Sequence, residues 1–275
     1  MNRYIHNLVV AAVVALAVHP ASAQTIIDPP GSTVDGKSIS AWTEDWWTRF
    51  WQAPYPGAID PNTGNVSAGF DNNGPVFFGP TASGDPTQGH VTINFTAPAG
   101  RPILLPIFPF EDLEAASIDP PTATLSDRLH AADVVVAGWL AAVDPNSLFA
   151  TIDGVSVLNP ANYLEETGDF SAGPAQPGSV ANISGVAAND DLYPIKAAGY
   201  WLMLENLSGG PHTIDFGGDS AQYTPASNCC TPGPVPAFGV DVTWNVDVIP
   251  EPASALLLLP AIFGISRWRK RAHGT

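Results

Sequence analysis

AFGVDVTWNVDV, residues 237–248, decides the fold. Phe238, Val240, Val242, Trp244, Val246 and Val248 are apolar and the residues between them are small or polar, a period of two. Such alternation sends one face of a strand into a core and the other into water. Working outward, HVTINFTAP (90–98) repeats the pattern through Val91, Ile93 and Phe95. AAGYWLMLENLSGGPHTIDFGG (197–218) supplies two strands joined at Gly209 and Gly210, and LFATIDGVSVLN (148–159) reads as a hairpin about Asp153 and Gly154, a pair that accepts the positive φ of a two-residue turn. RPILLPIFPF (101–110) is a near-continuous apolar run whose prolines send it to a sheet edge or a bulge.

Two helices interrupt the strands. SISAWTEDWWTRFWQAP (38–54) places Ile39, Trp42, Trp46 and Phe50 on one stripe, widened by Trp47 and Trp51; Ser38 or Ser40 caps it, Pro54 stops it, and Asp45 can pair with Arg49 one turn on. TLSDRLHAADVVVAGWLAAV (124–143) carries Leu125, Leu129, Ala132, Val136, Trp139, Leu140 and Val143 at helical spacing behind a cap at Thr124 or Ser126. Residues 165–191, rich in Gly, Pro, Ser and Ala, read as a long surface loop. The expected fold is mainly β: a single antiparallel sandwich of the jelly-roll kind with two helices, spanning residues 24–249.

Both ends stand apart from this body. Arg3 precedes the apolar run Leu8 to Val18, and HPASA (19–23) sets Ala21 and Ala23 at the small-residue positions that a signal peptidase reads, so residues 1–23 are expected to be a removable secretory signal. Eleven apolar residues are too few to span a bilayer core of about 30 Å. All 26 acidic residues fall between residues 24 and 252, where the bases are Lys37, Arg49, Arg101, Arg128 and Lys196; 26 acidic against five basic side chains leave 21 net negative charges. Such a surface repels nucleic acid, favours solubility, and suits cations and neutral or basic partners. Cys229 and Cys230 are adjacent, so they close no loop within the chain; a bond between neighbours needs a strained eight-membered ring, which leaves an unpaired or intermolecular state open.

Chemistry is hard to find in the body. His90, His130 and His212 are its histidines, and no GxSxG elbow accompanies them; GGDSAQ about Ser220 only echoes a hydrolase motif. FEDLEAA offers Glu111, Asp112 and Glu114 as paired carboxylates, which a glycosidase would need to hold about 5 to 9 Å apart across a cleft. Asp60, Asn62 and Asp71 fall at positions one, three and twelve of an EF-hand-like count and are the calcium candidates, although Gly64 and Asn65 break the pattern at positions five and six. Asn189, Asp190 and Asp191 form a second oxygen cluster. Trp42, Trp46, Trp47 and Trp51 could stack on a glycan or pack a core; helical spacing favours the core. No catalytic residue is expected, and no cofactor other than calcium.

Residues 250–275 order three features: Pro250, Glu251 and Pro252, an apolar run from Ala253 to Ile265, and a basic end with Arg267, Arg269, Lys270 and Arg271. That order resembles the PEP-CTERM sorting signal of Gram-negative bacteria. The resemblance implies recognition of Pro250, Glu251 and Pro252 by an exosortase, a transient inner-membrane anchor with the basic end cytoplasmic, and removal of the tail. It also implies association with exopolysaccharide and biofilm. WTEDWWTRFWQAPYP, GPVFFG, PAGRPILLPIF, TIDGVSV and GYWLMLENLSGGPHTIDFGG are similar to segments of a functionally unassigned group of secreted bacterial proteins. The expectation is an exported extracellular or envelope protein with a structural or glycan-binding role. A secreted glycan hydrolase using an acidic pair and a permanently tail-anchored envelope protein are the alternatives.

Overall fold

The structure is a computed structural model and describes residues 25–55, 65–66, 73–82, 89–226, 230 and 233–249. The signal and sorting segments, with Ala21, Ala23, Pro250, Glu251, Pro252, Arg267, Arg269, Lys270 and Arg271, lie outside those residues, as do Asp60, Asn62 and Asp71.

In chain order the elements are β1 (Ile26–Ile27), the pair β2 (Thr33–Val34) and β3 (Lys37–Ser38), helix α1 (Ile39–Gln52), and the short strands β4 (Asn65–Val66), β5 (Phe77–Phe78) and β6 (Thr81–Ala82). Then come β7 (Val91–Pro98), β8 (Ile103–Leu113), helix α2 (Leu125–Ala142), β9 (Phe149–Ile152), β10 (Val155–Ser156) and a 3₁₀ turn at Pro160–Tyr163. β11 (Leu164–Glu166), helix α3 (Val180–Ile183), β12 (Ile195–Glu205), β13 (Gly210–Ser220) and β14 (Phe238–Ile249) complete the chain.

Two five-stranded sheets face each other. The first runs β1-β12-β8-β5 with β11 also on β12; the second runs β10-β9-β13-β14-β7. Mainly β holds, but the sheets are mixed: β14 pairs β7 in parallel, and β5 pairs β8 in parallel. The parallel pair β7 and β14 is joined by a long path through β8, α2 and strands of both sheets, as parallel neighbours require, since a tight hairpin cannot join them. The Gly209–Gly210 turn likewise hands the chain from β12 in one sheet to β13 in the other. The Asp153–Gly154 hairpin forms as its residues demand, with φ of 51° and 77°.

β14 buries Val240, Val242, Trp244, Val246 and Val248 between the sheets, against Ile214 and Phe216 of β13 and Ile103, Leu105, Ile107, Phe108 and Leu202 of the first sheet. The proline-rich β8 has β12 along one side and only the two-residue β5 on the other, so its prolines stand where that side is an open edge. β5 covers only Ile103 and Leu104, so Pro106 and Pro109 sit beyond it and leave no ladder donor missing on that side. The expected bulge is present: Pro106 pairs Trp201 and Phe108 pairs Tyr200, so Ile107 is the extra residue, and Ile107 and Phe108 both enter the same core.

α1 covers the far face of the first sheet. Ser38 caps it by accepting from the Ala41 N–H at 3.1 Å. Asp45 pairs with Lys37 at 2.6 Å instead of with Arg49, whose guanidinium lies 4.8 Å over the Phe78 ring. α2 starts with Thr124 and Asp127 in a reciprocal capping box and sets Trp139 stacked on Phe110, centroids 5.0 Å apart. The segment read as a surface loop holds α3 and a small core of Ala172, Ala175, Ala181, Val186 and Leu192, so there are three helices where two were expected. Alanines make a close-packed cluster without a readable period, which hid it. Among the described residues no helix is long and apolar enough to cross a membrane.

Candidate functional site

Trp42, Trp46 and Trp47 are 5%, 1% and 7% exposed. Their faces meet other rings: Trp46 packs edge-on against Trp47 and Trp201 and stacks on Phe50, and Trp42 tilts against Phe78. A face already in ring contact is not presented to a sugar, so glycan contact through these three does not fit their burial. The Trp46 indole donates to the Gly79 carbonyl at 3.0 Å, and Trp244 of the other core donates to the next carbonyl, Pro80, at 3.0 Å. Trp51 alone of the four is half-buried, beside Glu111.

His212 and His90 are held structurally, and His130 is exposed on α2. His212 Nδ1 lies 2.7 Å from Asp153 Oδ2, and its Nε2 is 3.2 Å from Ser208 Oγ, superficially a Ser-His-Asp set. Nε2 is also 2.8 Å from the carbonyl oxygen of Ser208, which accepts only, so that nitrogen carries a hydrogen and is no base for the hydroxyl. The cluster fastens the β9–β10 turn to the β12–β13 connection. Ser220 directs its hydroxyl to the Phe238 carbonyl at 3.4 Å and has no histidine partner. It lines an open depression of about 220 Å³ with Gly89, Asp219, Gly239 and Asp241.

His90 belongs to a polar lattice on the outer face of the second sheet. Strand alternation turns Thr92 and Asn94 of β7, Thr243, Asn245 and Asp247 of β14, and Thr213 and Asp215 of β13 away from the core. His90 Nδ1 meets Asp241 at 2.8 Å and its Nε2 meets Thr243 at 3.2 Å; Thr243 donates to Asp215, Thr151 donates to Asp215 at 3.1 Å, and Asn245 donates to Asn94 at 2.9 Å. The register makes these rows: Thr151, Asp215, Thr243 and Thr92 stand side by side across four strands.

Acids converge at one other place. Glu111 and Asp112 are neighbours on β8 and therefore face opposite ways. Glu111 is opposite Ala197, on the α1 side, and burial raises its carboxyl well above the usual range; the Asp112 charge adds to this, and the Trp51 indole N–H, near but short of hydrogen-bond geometry, offsets part. Asp112 is opposite Lys196 on the α2 side, where Lys196 forms an ion pair with Asp133. There Asp112 meets Glu114 and Asp119 from the loop leading to α2. Burial pushes Asp112 up to about 6 despite a hydrogen bond from Glu114. Glu114 is pushed up to about 10, first by burial, then by its hydrogen bond with Asp119 and the charges of Asp112 and Asp119. The Tyr223 hydroxyl, raised by burial and by the Asp112 charge, is buried nearby without a partner. Cys230 brings its sulfur within 4.8 Å of the ligand oxygens of Glu114 and Asp119. That sulfur is in a disulfide, and Cys229, the chain's other cysteine, lies outside the described residues.

Sequence reasoning singled out Glu111, Asp112 and Glu114 but missed Asp119, which stands in an irregular loop five residues on and shows no periodicity. Period-two alternation was the signal that splits Glu111 from Asp112. Asp190 and Asp191 fix turns by accepting, Asp190 from the Ser117 N–H at 2.8 Å and Asp191 from the Ser171 hydroxyl at 2.8 Å. No family model, curated protein or solved structure matches the chain.

Proposed function

We propose that the chain is an exported protein of an extracellular matrix or envelope that acts by binding or structure, with an exopolysaccharide as partner. Sorting rests on the order of Pro250-Glu251-Pro252, apolar run and basic end, which suits transient anchoring in the inner membrane and handling by an exosortase. The binding part rests on one observation: the outer face of the second sheet is a continuous field of Asp, Asn, Thr and His side chains. Carboxylates, amides and hydroxyls fixed in rows match the alternating donors and acceptors of sugar hydroxyls, and mutual hydrogen bonds lower the entropy cost of ordering them. That field supports a reading in which the β13–β14–β7 face, rather than the buried tryptophans, does the binding.

The hydrolase alternative has less support. Glu111 and Asp112 face opposite sides of β8, and the ligand oxygens of Glu114 and Asp119 lie within 4.8 Å in the interior, closer than a pair flanking a glycosidic bond. Retention of the exported protein on native exopolysaccharide, measured by co-sedimentation, tests the reading. Retention should fall at least tenfold in Asn94→Ala/Asn245→Ala. Absence of retention across a broad glycan panel would sink it, and turnover of a glycan that disappears in a carboxylate-to-amide variant would favour the alternative.

A further inference from the structure

Phe149 opens β9 on the outer face of the second sheet and is 38% exposed. It stands opposite Gly217 of β13, which in turn stands opposite Asp241 of β14. A Cβ on Gly217 would come 2.9 Å from Phe149 Cε1, so the ring is laid over bare backbone and keeps part of its surface in water. One step along the strands Asp219 faces Gly239, and its carboxylate leans so far over that glycine that a Cβ there would strike Oδ1. The two glycines keep the sheet low between Phe149, Asp219 and Asp241, and the depression of about 220 Å³ opens beside them. An aromatic ring can serve a strand glycine merely by covering it. Covering alone calls for neither the carboxylates nor the depression.

A flat apolar ring with hydrogen-bond acceptors beyond its edge suits a pyranose, whose C–H face stacks while its polar substituents reach the acceptors. Strand spacing puts Phe149 and Asp241 roughly 10 Å apart, room for one sugar between the two side chains. The depression is smaller than the roughly 300–1,000 Å³ of sites for drug-sized ligands, which also suits a single ring. Both acceptors are held in advance. His90 meets Asp241 at 2.8 Å and Thr243 at 3.2 Å; the Asp219 N–H donates to Ser147 Oγ at 2.7 Å, and the Asp219 carbonyl accepts from the Asp144 N–H at 3.0 Å. Groups fixed beforehand lose little entropy on binding.

Charge chooses among sugars. The basic side chains are engaged elsewhere: Lys37 with Asp45, Arg49 over Phe78, Arg101 with the Gly74 carbonyl, Lys196 with Asp133, and Arg128 on α2. A uronate or sulfated unit would set another negative charge beside Asp219 and Asp241, whereas a protonated amine forms charge-assisted hydrogen bonds with carboxylates. We propose that Phe149, Asp219 and Asp241 form a subsite for a hexosamine unit with a free amine, its ring stacked on Phe149 and its ammonium group held by the two carboxylates. This rests on the exopolysaccharide reading and names the sugar class for it.

The test is calorimetric titration of the full chain with short glucosamine oligomers, their N-acetylated counterparts and uronate oligomers, near pH 6 at physiological salt, with the fold of each variant checked by circular dichroism. Glucosamine oligomers should bind about tenfold more tightly than N-acetylated ones, and uronates should not bind. Phe149→Leu, Asp219→Asn and Asp241→Asn should each weaken binding about tenfold, and Phe149→Tyr should retain it. Glu166→Gln, which removes an exposed charge beside α1, should change nothing. Phe149→Leu keeps an apolar cover on Gly217 and every charge, so it separates ring stacking from general attraction to an acidic surface. Parent-like binding in Phe149→Leu, equal losses in Asp219→Asn and Glu166→Gln, or a preference for N-acetylated or uronate oligomers would overturn the subsite. Retention of exopolysaccharide that depends on Asn94 and Asn245 but not on Phe149 or Asp219 would overturn the subsite alone, whereas no retention on any glycan would remove the exopolysaccharide reading with it.

Discussion

Replacing Trp46 by alanine distinguishes a tryptophan stripe that builds the core from one that serves a ligand. Trp46 is almost fully buried, packs on Trp47, Phe50 and Trp201, and donates its indole N–H to the Gly79 carbonyl. Truncating a buried aromatic to alanine costs about 3–5 kcal/mol. Leaving the Gly79 carbonyl unpaired adds about 1–3 kcal/mol. Partial collapse of the site returns some of this, so the expected loss is roughly 4–6 kcal/mol. For a domain of this size each kcal/mol moves the melting point by about 2–4 °C, which places the variant roughly 10–20 °C below the parent. Trp46→Phe keeps most of the ring packing and loses the hydrogen bond, and should fall by about 1–2 kcal/mol. Circular dichroism melts and urea titrations of parent, both Trp46 variants and the half-buried Trp51→Ala give the series, with Trp51→Ala losing much less than Trp46→Ala. A Trp46→Ala protein within about 1 kcal/mol of the parent, with glycan retention abolished, would refute the core assignment.

Two further outcomes follow from the interior. Glu111 keeps its proton in the folded chain above the ordinary value of 4.5 at which the unfolded chain ionises, so its contribution is complete below pH 4.5 and declines as pH rises toward the folded value, by up to about 1.4 kcal/mol per pH unit. Glu111→Gln removes that slope: urea stability should match the parent near pH 4 and exceed it by a growing margin at pH 6 and 8, and a constant difference would contradict the burial argument. Gly79→Ala would bring a Cβ to 2.9 Å from the Leu104 carbonyl and into the Trp244 indole, between the two carbonyls that hold Trp46 and Trp244. It should destabilise by about 3 kcal/mol or more in thermal melts, and a neutral result would mean that the two cores adjust independently.

Period-two alternation made β7, β13 and β14 legible because one face of each is dry and the other wet. The capped α1 and α2 were legible for the same kind of reason: a local hydrogen bond marks each start. Strand partners were not legible. Nothing in the residues of β14 says that β7 lies beside it in parallel, since that choice belongs to the path of the whole chain. Pro106 and Pro109 signalled an edge or a bulge and both are present, but that the edge is made by a two-residue β5 ending before them was not readable. The acidic cluster was half legible. Asp112 and Glu114 are near in sequence, but Asp119 joins them through loop geometry, and the separation of Glu111 to the other face depends on strand phase.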